Sequence, residues 1–200
     1  MSELYKNLSI EGFAERLGSA APTHGGGAAA ALASALGASL VMMVANLTIG
    51  KAGYEEFIEL NRDILEEAEA LRGSLLAGMD KDSEAFGKLM AAYGMPKGDE
   101  RKNALFTASA EATREPLAVM EDSLAVLRLA ATMKGRSNRT VESDLITAMH
   151  FLRAGILSEK CNVDANLPLI EKTDAALASE LGSRTDCIIK ETLDLTSGIL

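Results

Sequence analysis

Between Ala20 and Gly50 the chain carries no lysine, arginine, aspartate or glutamate. An uncharged run of this length is either enclosed by other parts of the protein or placed in lipid. Its first half is almost entirely Ala, Gly and Ser. Small residues at Ala28, Ala31, Ala35, Gly37, Ala38 and Ser39 let neighbouring helices approach closely. Leu32, Leu36, Leu40–Val44, Leu47 and Ile49 supply the larger apolar side chains. Pro22 and Thr23 stop whatever precedes, and Gly25, Gly26 and Gly27 favour a sharp turn with φ > 0. The Ala-rich run after them is strongly helix-forming. The segment therefore reads as a glycine turn feeding a buried central helix. Free N–H groups gather at such an N-terminus and suit an anion or a polarised oxygen.

A membrane span passes the same length test, but no second segment resembles this one. His24 and the three glycines imitate the oxyanion loop of lipase-type hydrolases, yet no Gly-x-Ser-x-Gly elbow accompanies them. A phosphate loop ending in Gly-Lys-Ser/Thr is also absent.

The rest of the composition points the same way. Of 200 residues, 48% are hydrophobic but only 4% aromatic, so the core is aliphatic. Val, Ile and Thr form no alternating runs, while Ala, Leu, Glu and Met dominate, which predicts an all-α fold. One multi-helix bundle over residues 1–200, with the Gly/Ala-rich helix at its centre, is expected. The net charge of −9 argues against nucleic-acid binding. Cys161 and Cys187 have no metal-ligand spacing, and with no signal peptide a cytoplasmic setting is expected. An all-round apolar helix further predicts a homodimer or higher homo-oligomer.

Helices are predicted from Ile10 to Leu17 behind a Ser9 cap, from the glycines to about Thr48, and from Tyr54 to Met79. A further helix over Asp80–Tyr93 either follows or continues the last. Residues 99–133 read as helical with a kink at Pro116. Beyond the basic loop Lys134–Arg139, helices are expected over Thr140–Cys161, onward through Leu177 with Pro168 inside, and from Arg184.

Several polar residues stand where apolar ones would be expected. Asp80 and Asp82 are two residues apart, which on a helix separates them by about 200°. Asp82 aligns with Ala85, Phe86, Leu89 and Met90 and is predicted to face inward. Asp80 aligns with Ser83, Glu84, Gly87 and Lys88 and is predicted to face water or cap the helix. An inward carboxylate is costly unless it is paired or used, so Asp82 is either hydrogen-bonded to a helix end or functional. Asp144 is placed to oppose a helix dipole. Asn162 and Asn166, four residues apart beside Val163, Ala165 and Leu169, either present amide edges to a ligand or serve the Pro168 region. Lys134, Arg136 and Arg139 form a solvated loop or an anion grip, and His150 is expected to be structural.

The segment APTHGGGAAAALASALGASLVMMVANLTIGK resembles the corresponding segment of the formiminotransferase-cyclodeaminase C-terminal family. MDKDSEAFGKLMAAYGMPKG, the Pro116 region, SNRTVESDL and NVDANLPLI match further on in the family's order. His24 stands where that family usually has Pro, and Ala28 where it usually has Ser. The resemblance implies a dimeric, all-helical domain acting on one-carbon tetrahydrofolates, with no metal or cofactor beyond the folate itself. The family's catalytic carboxylate maps to Asp82, with Asp80 as the second choice. Two activities are implied: cyclohydrolysis of 5,10-methenyltetrahydrofolate, and cyclodeamination of 5-formiminotetrahydrofolate. The first is favoured because the chain stands without a formiminotransferase domain. His24, Gly25, Gly26, Gly27, Lys51, Arg136 and Arg139 are candidates for the glutamyl carboxylates, and Asp144, Asn162 and Asn166 for the pterin. A non-catalytic helical oligomerisation module and a membrane-associated protein are the competing classes.

Overall fold

The Ala-rich run forms one helix, α2 (Gly26–Asn46), in the computed structural model, which describes residues 4–20 and 25–199. Around it stand α1 (Ile10–Leu17), α3 (Ile58–Gly94), α4 (Asp99–Met133), α5 (Glu142–Glu171) and α6 (Ala175–Thr196), with no strand among the described residues. The fold is all-α. α2 packs against α3, α4 and α5, while α6 covers α4 and α5 from outside.

Small residues set how closely α2 can be approached. A β-carbon at Gly155 of α5 would lie 2.0 Å from Ser34 Oγ and 2.9 Å from the Ala30 carbonyl oxygen. One at Gly37 of α2 would lie 2.7 Å from Leu152 Cγ and 3.1 Å from the Ala148 carbonyl oxygen. These contacts fix α2 and α5 as antiparallel. Gly78 of α3 similarly meets Ala31 of α2 and Val119 of α4. The core then fills with aliphatic side chains and methionines, including Leu75, Met79, Met120, Leu127, Met133, Met149, Leu152 and Ile156.

α2 is long and apolar enough to cross a membrane, and 56% of its most apolar window is buried within the bundle. It is not enclosed on every side, as the sequence had suggested. Ala29, Leu32, Ala33, Leu40 and Met43 are half-buried, and Leu36 and Leu47 are 45% and 47% exposed. Their spacing makes one uncharged stripe along the helix.

Of the two readings at Asp80 the continuous helix holds: residues 58–94 form a single helix, so Asp80 and Asp82 lie mid-helix. Two boundaries further on differ from expectation. α5 continues past Cys161 to Glu171 and contains Pro168. α6 starts at Ala175 rather than Arg184, because the Asp174 side chain accepts the Leu177 N–H and caps it. α4 runs without interruption through Pro116.

The SNRT segment holds the C-terminal end of α2. Asn138 N–H donates to Thr48 Oγ1, Asn138 Nδ2 donates to the Leu47 carbonyl, and Arg139 N–H donates to the Tyr54 hydroxyl. Asn61, fully buried on α3, donates to the carbonyls of Phe57 and Arg136.

The α2–α5 contact leaves no room for a methyl group. Gly155→Ala should destabilise the fold by about 1–3 kcal/mol, read as a lower denaturant midpoint with unchanged helical circular dichroism.

Candidate active site

α2 begins with no capping side chain of its own: Gly25 occupies the cap position with extended backbone and offers the first turn only its carbonyl, which accepts the Ala29 N–H. The cap comes from α3. Asp82 accepts a hydrogen bond from the Ala28 N–H. A β-carbon at Gly27 would lie 2.4 Å from both Cγ and Oδ1 of Asp82, so this carboxylate sits where a side chain on Gly27 would have been. Gly27, not Gly26, is the glycine whose missing side chain is structurally required; a β-carbon at Gly26 meets nothing within 4 Å. The expected φ > 0 is not used here, since positive values among the described residues occur only at Gly50, Gly53 and Gly135.

In front of this junction lies a cavity of about 290 Å³ lined by Gly25, Gly26, Gly27, Asp82, Phe86, Leu89, Ala112, Asn162, Ala165 and Asn166. Four helices contribute to it: α2 its N-terminus, and α3, α4 and α5 one face each. Of the residues aligned with Asp82, Ala85 and Leu89 are buried and Phe86 reaches the cavity, but Met90 is 48% exposed.

Asn166 has a definite task. Pro116 has no N–H, so the Ala112 carbonyl loses its ordinary partner within α4. Asn166 Nδ2 donates to that carbonyl at 3.0 Å and to the Asn162 carbonyl at 3.1 Å, joining α5 to α4 at the cavity rim.

Asn162 leads to a residue that the sequence analysis did not single out. Its Nδ2 donates to Oε2 of Glu159 at 2.8 Å. Glu159 is 1% exposed and is the only Asp, Glu, Lys or Arg among the described residues buried to that degree. A signal was present: Leu145, Met149, Leu152, Ile156, Glu159 and Val163 follow one helical stripe, and Glu159 is its only charged member.

The electrostatics are those of an acidic cavity. Burial raises the Asp82 pKa, the Ala28 N–H opposes that rise, and the nearby Glu115 charge adds to it. Burial likewise pushes the Glu159 carboxyl up to about 8; the Asn162 hydrogen bond opposes this and the Asp82 charge reinforces it. Among the described residues no lysine or arginine lines the cavity. The α2 N-terminus, expected to receive a ligand's anion, already has the Asp82 carboxylate, and the cavity is arranged for positive charge.

The remaining candidates fall into two groups. Asp80 does not face water: it accepts the Tyr5 N–H at 2.7 Å and ties the N-terminal segment to α3. Lys51, Arg136, Arg139 and Asp144 lie at the opposite end of the bundle, the full length of α2 away, or about 30 Å at the helical rise per residue. Arg139 there borders a separate cavity of about 520 Å³ with Lys134, Tyr54 and Glu142. Arg136 is spent on the Thr132 carbonyl. His24 lies outside the described residues. Among the described residues no group of three or more His, Cys, Asp or Glu is placed to hold a metal ion.

A sequence model described as formiminotransferase-cyclodeaminase matches residues 9–186. The chain is 40% identical over 179 residues to a methenyltetrahydrofolate cyclohydrolase of Methylorubrum extorquens, covering 87% of this chain and 85% of that one. It is 31% identical over 194 residues to a formimidoyltransferase-cyclodeaminase of Dictyostelium discoideum, covering 97% of this chain but only 36% of that longer protein. The crystal structure of a formiminotetrahydrofolate cyclodeaminase from Thermotoga maritima superposes with a TM-score of 0.80 over 97% of this chain and 98% of that one, at 28% identity.

The buried acid has a consequence for stability. Between the ordinary Glu value of 4.5 and about 8, folded Glu159 keeps a proton that the unfolded chain has lost. Stability contributed by this group therefore falls as pH rises through that window. Glu159→Gln should flatten the dependence and raise Tm above wild type at the alkaline end, as differential scanning calorimetry across the window would show.

Proposed function

The chain belongs to the formiminotransferase-cyclodeaminase family, and from that premise we propose that it is an enzyme of one-carbon tetrahydrofolate interconversion that hydrolyses 5,10-methenyltetrahydrofolate to 10-formyltetrahydrofolate. The observation that carries this reading is the acidic cavity: a half-buried carboxylate at a helix N-terminus, with no lysine or arginine among the described residues that line it, facing apolar and amide groups. The substrate's reacting carbon sits between N5 and N10 in a delocalised cation, and Asp82 offers it an anion in a partly desolvated setting. The 40% identity to a cyclohydrolase over most of both chains favours hydrolysis.

The chemistry needs one mobile proton. Water adds to the carbon between N5 and N10, and Asp82 takes a proton from that water as the bond forms. Asp82 then returns the proton to N5 as the C–N5 bond breaks. The hydroxyl proton leaves as the formyl carbonyl forms on N10, so one proton is released per turnover. Phe86 and Leu89 supply apolar wall for the flat rings, and Asn162 and Asn166 supply amide edges for the pterin.

Cyclodeamination of 5-formiminotetrahydrofolate is the second reading, favoured by the fold match to the Thermotoga maritima cyclodeaminase. N10 attacks the carbon of the protonated formimino group, and Asp82 moves the N10 proton to the departing amine, which leaves as ammonia as the methenyl cation forms. The same carboxylate performs both reactions because both pass through a tetrahedral carbon.

We place the protein in the cytoplasm as a homodimer, and the exposed stripe on α2 supports the dimer. Leu36 and Leu47, with half-buried Leu40 and Met43 between them, form an apolar surface that a second copy of the chain would cover.

Turnover is read from near-ultraviolet absorbance with each folate in turn. Loss of activity towards both by folded protein removes the enzyme reading. Asp82→Asn should lower kcat by about 100-fold or more, the scale of a lost general base. Asp80→Asn should instead loosen the N-terminal segment and leave kcat much less affected; the reverse order overturns the assignment.

Leu36→Glu, placing a charge in the centre of the α2 stripe, should shift sedimentation of the protein from dimer to monomer. A dimer that persists unchanged in this variant places the interface elsewhere.

A further inference from the structure

Glu159 is where an acid is least affordable, and no cation compensates it. α2 has no ionisable side chain at all. α6 turns Ala178, Leu181 and Thr185 inward, none of them charged. From α3 the group that acts on Glu159 is Asp82, and from α4 Glu115 acts on Asp82 in turn. On α5 itself, Lys160 is engaged with Asp164. Among the described residues no ion pair reaches Glu159. A purely structural position in such surroundings would be filled as well by Leu or Gln.

What Glu159 does hold is Asn162, one turn further along α5 and directly on the cavity wall. We propose that Glu159 is a positioning residue for the folate reaction: it carries a proton, fixes the Asn162 amide against the cavity, and leaves Asp82 as the only anion of the pair. The inference rests on the folate reading above and adds a division of labour within it. Two carboxyl groups in unequal surroundings separate into an acid and a base. Here the more deeply buried one stays neutral. Asp82, with the Ala28 N–H and access to the cavity, is the one that ionises. Loss of the Glu159 proton would place a second negative charge behind Asp82, raise the proton affinity of Asp82 and leave Asn162 held by an ionised rather than a neutral partner.

The decisive measurement follows the proton directly. In the ligand-free protein the infrared C=O band of a protonated carboxyl should be present at neutral pH, titrate away on the alkaline side, and be missing in Glu159→Gln. In Asp82→Asn its midpoint should move down, because the like charge that adds to the effect of burial has gone. With methenyltetrahydrofolate, kcat of the wild type should fall by about 10-fold per pH unit as the Glu159 proton leaves, and Glu159→Gln, permanently neutral, should lack this alkaline limb. A band that survives in Glu159→Gln, a midpoint unmoved by Asp82→Asn, or an alkaline limb retained in Glu159→Gln overturns the proposal. Should Glu159→Gln fail to fold, the wild-type and Asp82→Asn infrared titrations decide it. Inactivity of the wild type towards both folates sinks the folate reading instead, and the infrared titrations still locate the proton.

Discussion

The close approach of the Asp82 carboxylate to the backbone of Gly27 governs most of what surrounds it. A helix that begins with glycines has no side chain to satisfy its first N–H groups. In this protein the acceptor arrives from another helix, and it fits only because Gly27 has no β-carbon. The consequence is structural and electrostatic together. α2 is fixed to α3 at its start, and the positive end of its dipole is answered from inside the protein. The cavity in front thereby changes character, from a place that attracts anions to one that tolerates a cation. Asp82 is both a cap for α2 and the ionisable group of the cavity, two roles that appear as alternatives in sequence and coincide in space.

A similar substitution of partners holds the opposite wall. Pro116 deprives the Ala112 carbonyl of its bond within α4, and Asn166 supplies one from α5. An embedded proline normally costs its helix a hydrogen bond and invites a kink. Here the freed carbonyl becomes the point where α4 and α5 are joined, immediately beside the cavity. Asn166 therefore has its amide nitrogen committed to protein, and what it can offer a ligand is its oxygen. Asn162 is committed in the same sense through Glu159. Two amides that read in sequence as a matched pair of ligand contacts are each half used by the fold.

Helical periodicity revealed the all-α class, the central helix and the inward direction of Asp82, because each depends on which residues share a face. It did not reveal which end of a helix meets which end of its neighbour. Lys51, Arg136, Arg139 and Asp144 looked compatible with the glycine turn only while the antiparallel packing of α2 against α3 and α5 was unknown. The boundary placed at Cys161 does not exist: α5 runs on to Glu171 and carries Pro168 inside the helix, three residues before its end. Glu159 was legible by the same facing argument that picked out Asp82. A Glu beside Lys160 in a helical run also reads as an ordinary solvated pair, and Lys160 in fact bonds Asp164 on the outer face.

The chain as a whole is acidic, at −9, so its overall field repels a polyanion such as a folate with its glutamyl carboxylates. The cavity resolves this by acting locally. On the proposed reading its charge would meet the reacting end of the substrate, where the one-carbon unit is cationic, while the cation-bearing loop Lys134–Arg139 stands at the other end of the bundle. A substrate whose positive and negative ends are well separated would distinguish these two regions by charge alone. Within the cavity, full ionisation of both carboxyl groups would overbalance a single delocalised positive charge and strand the excess in a poorly solvated wall. Keeping the deeper carboxyl neutral leaves one anion opposite one cation, and it leaves Asp82 basic enough to accept a proton from water once that cation is being consumed.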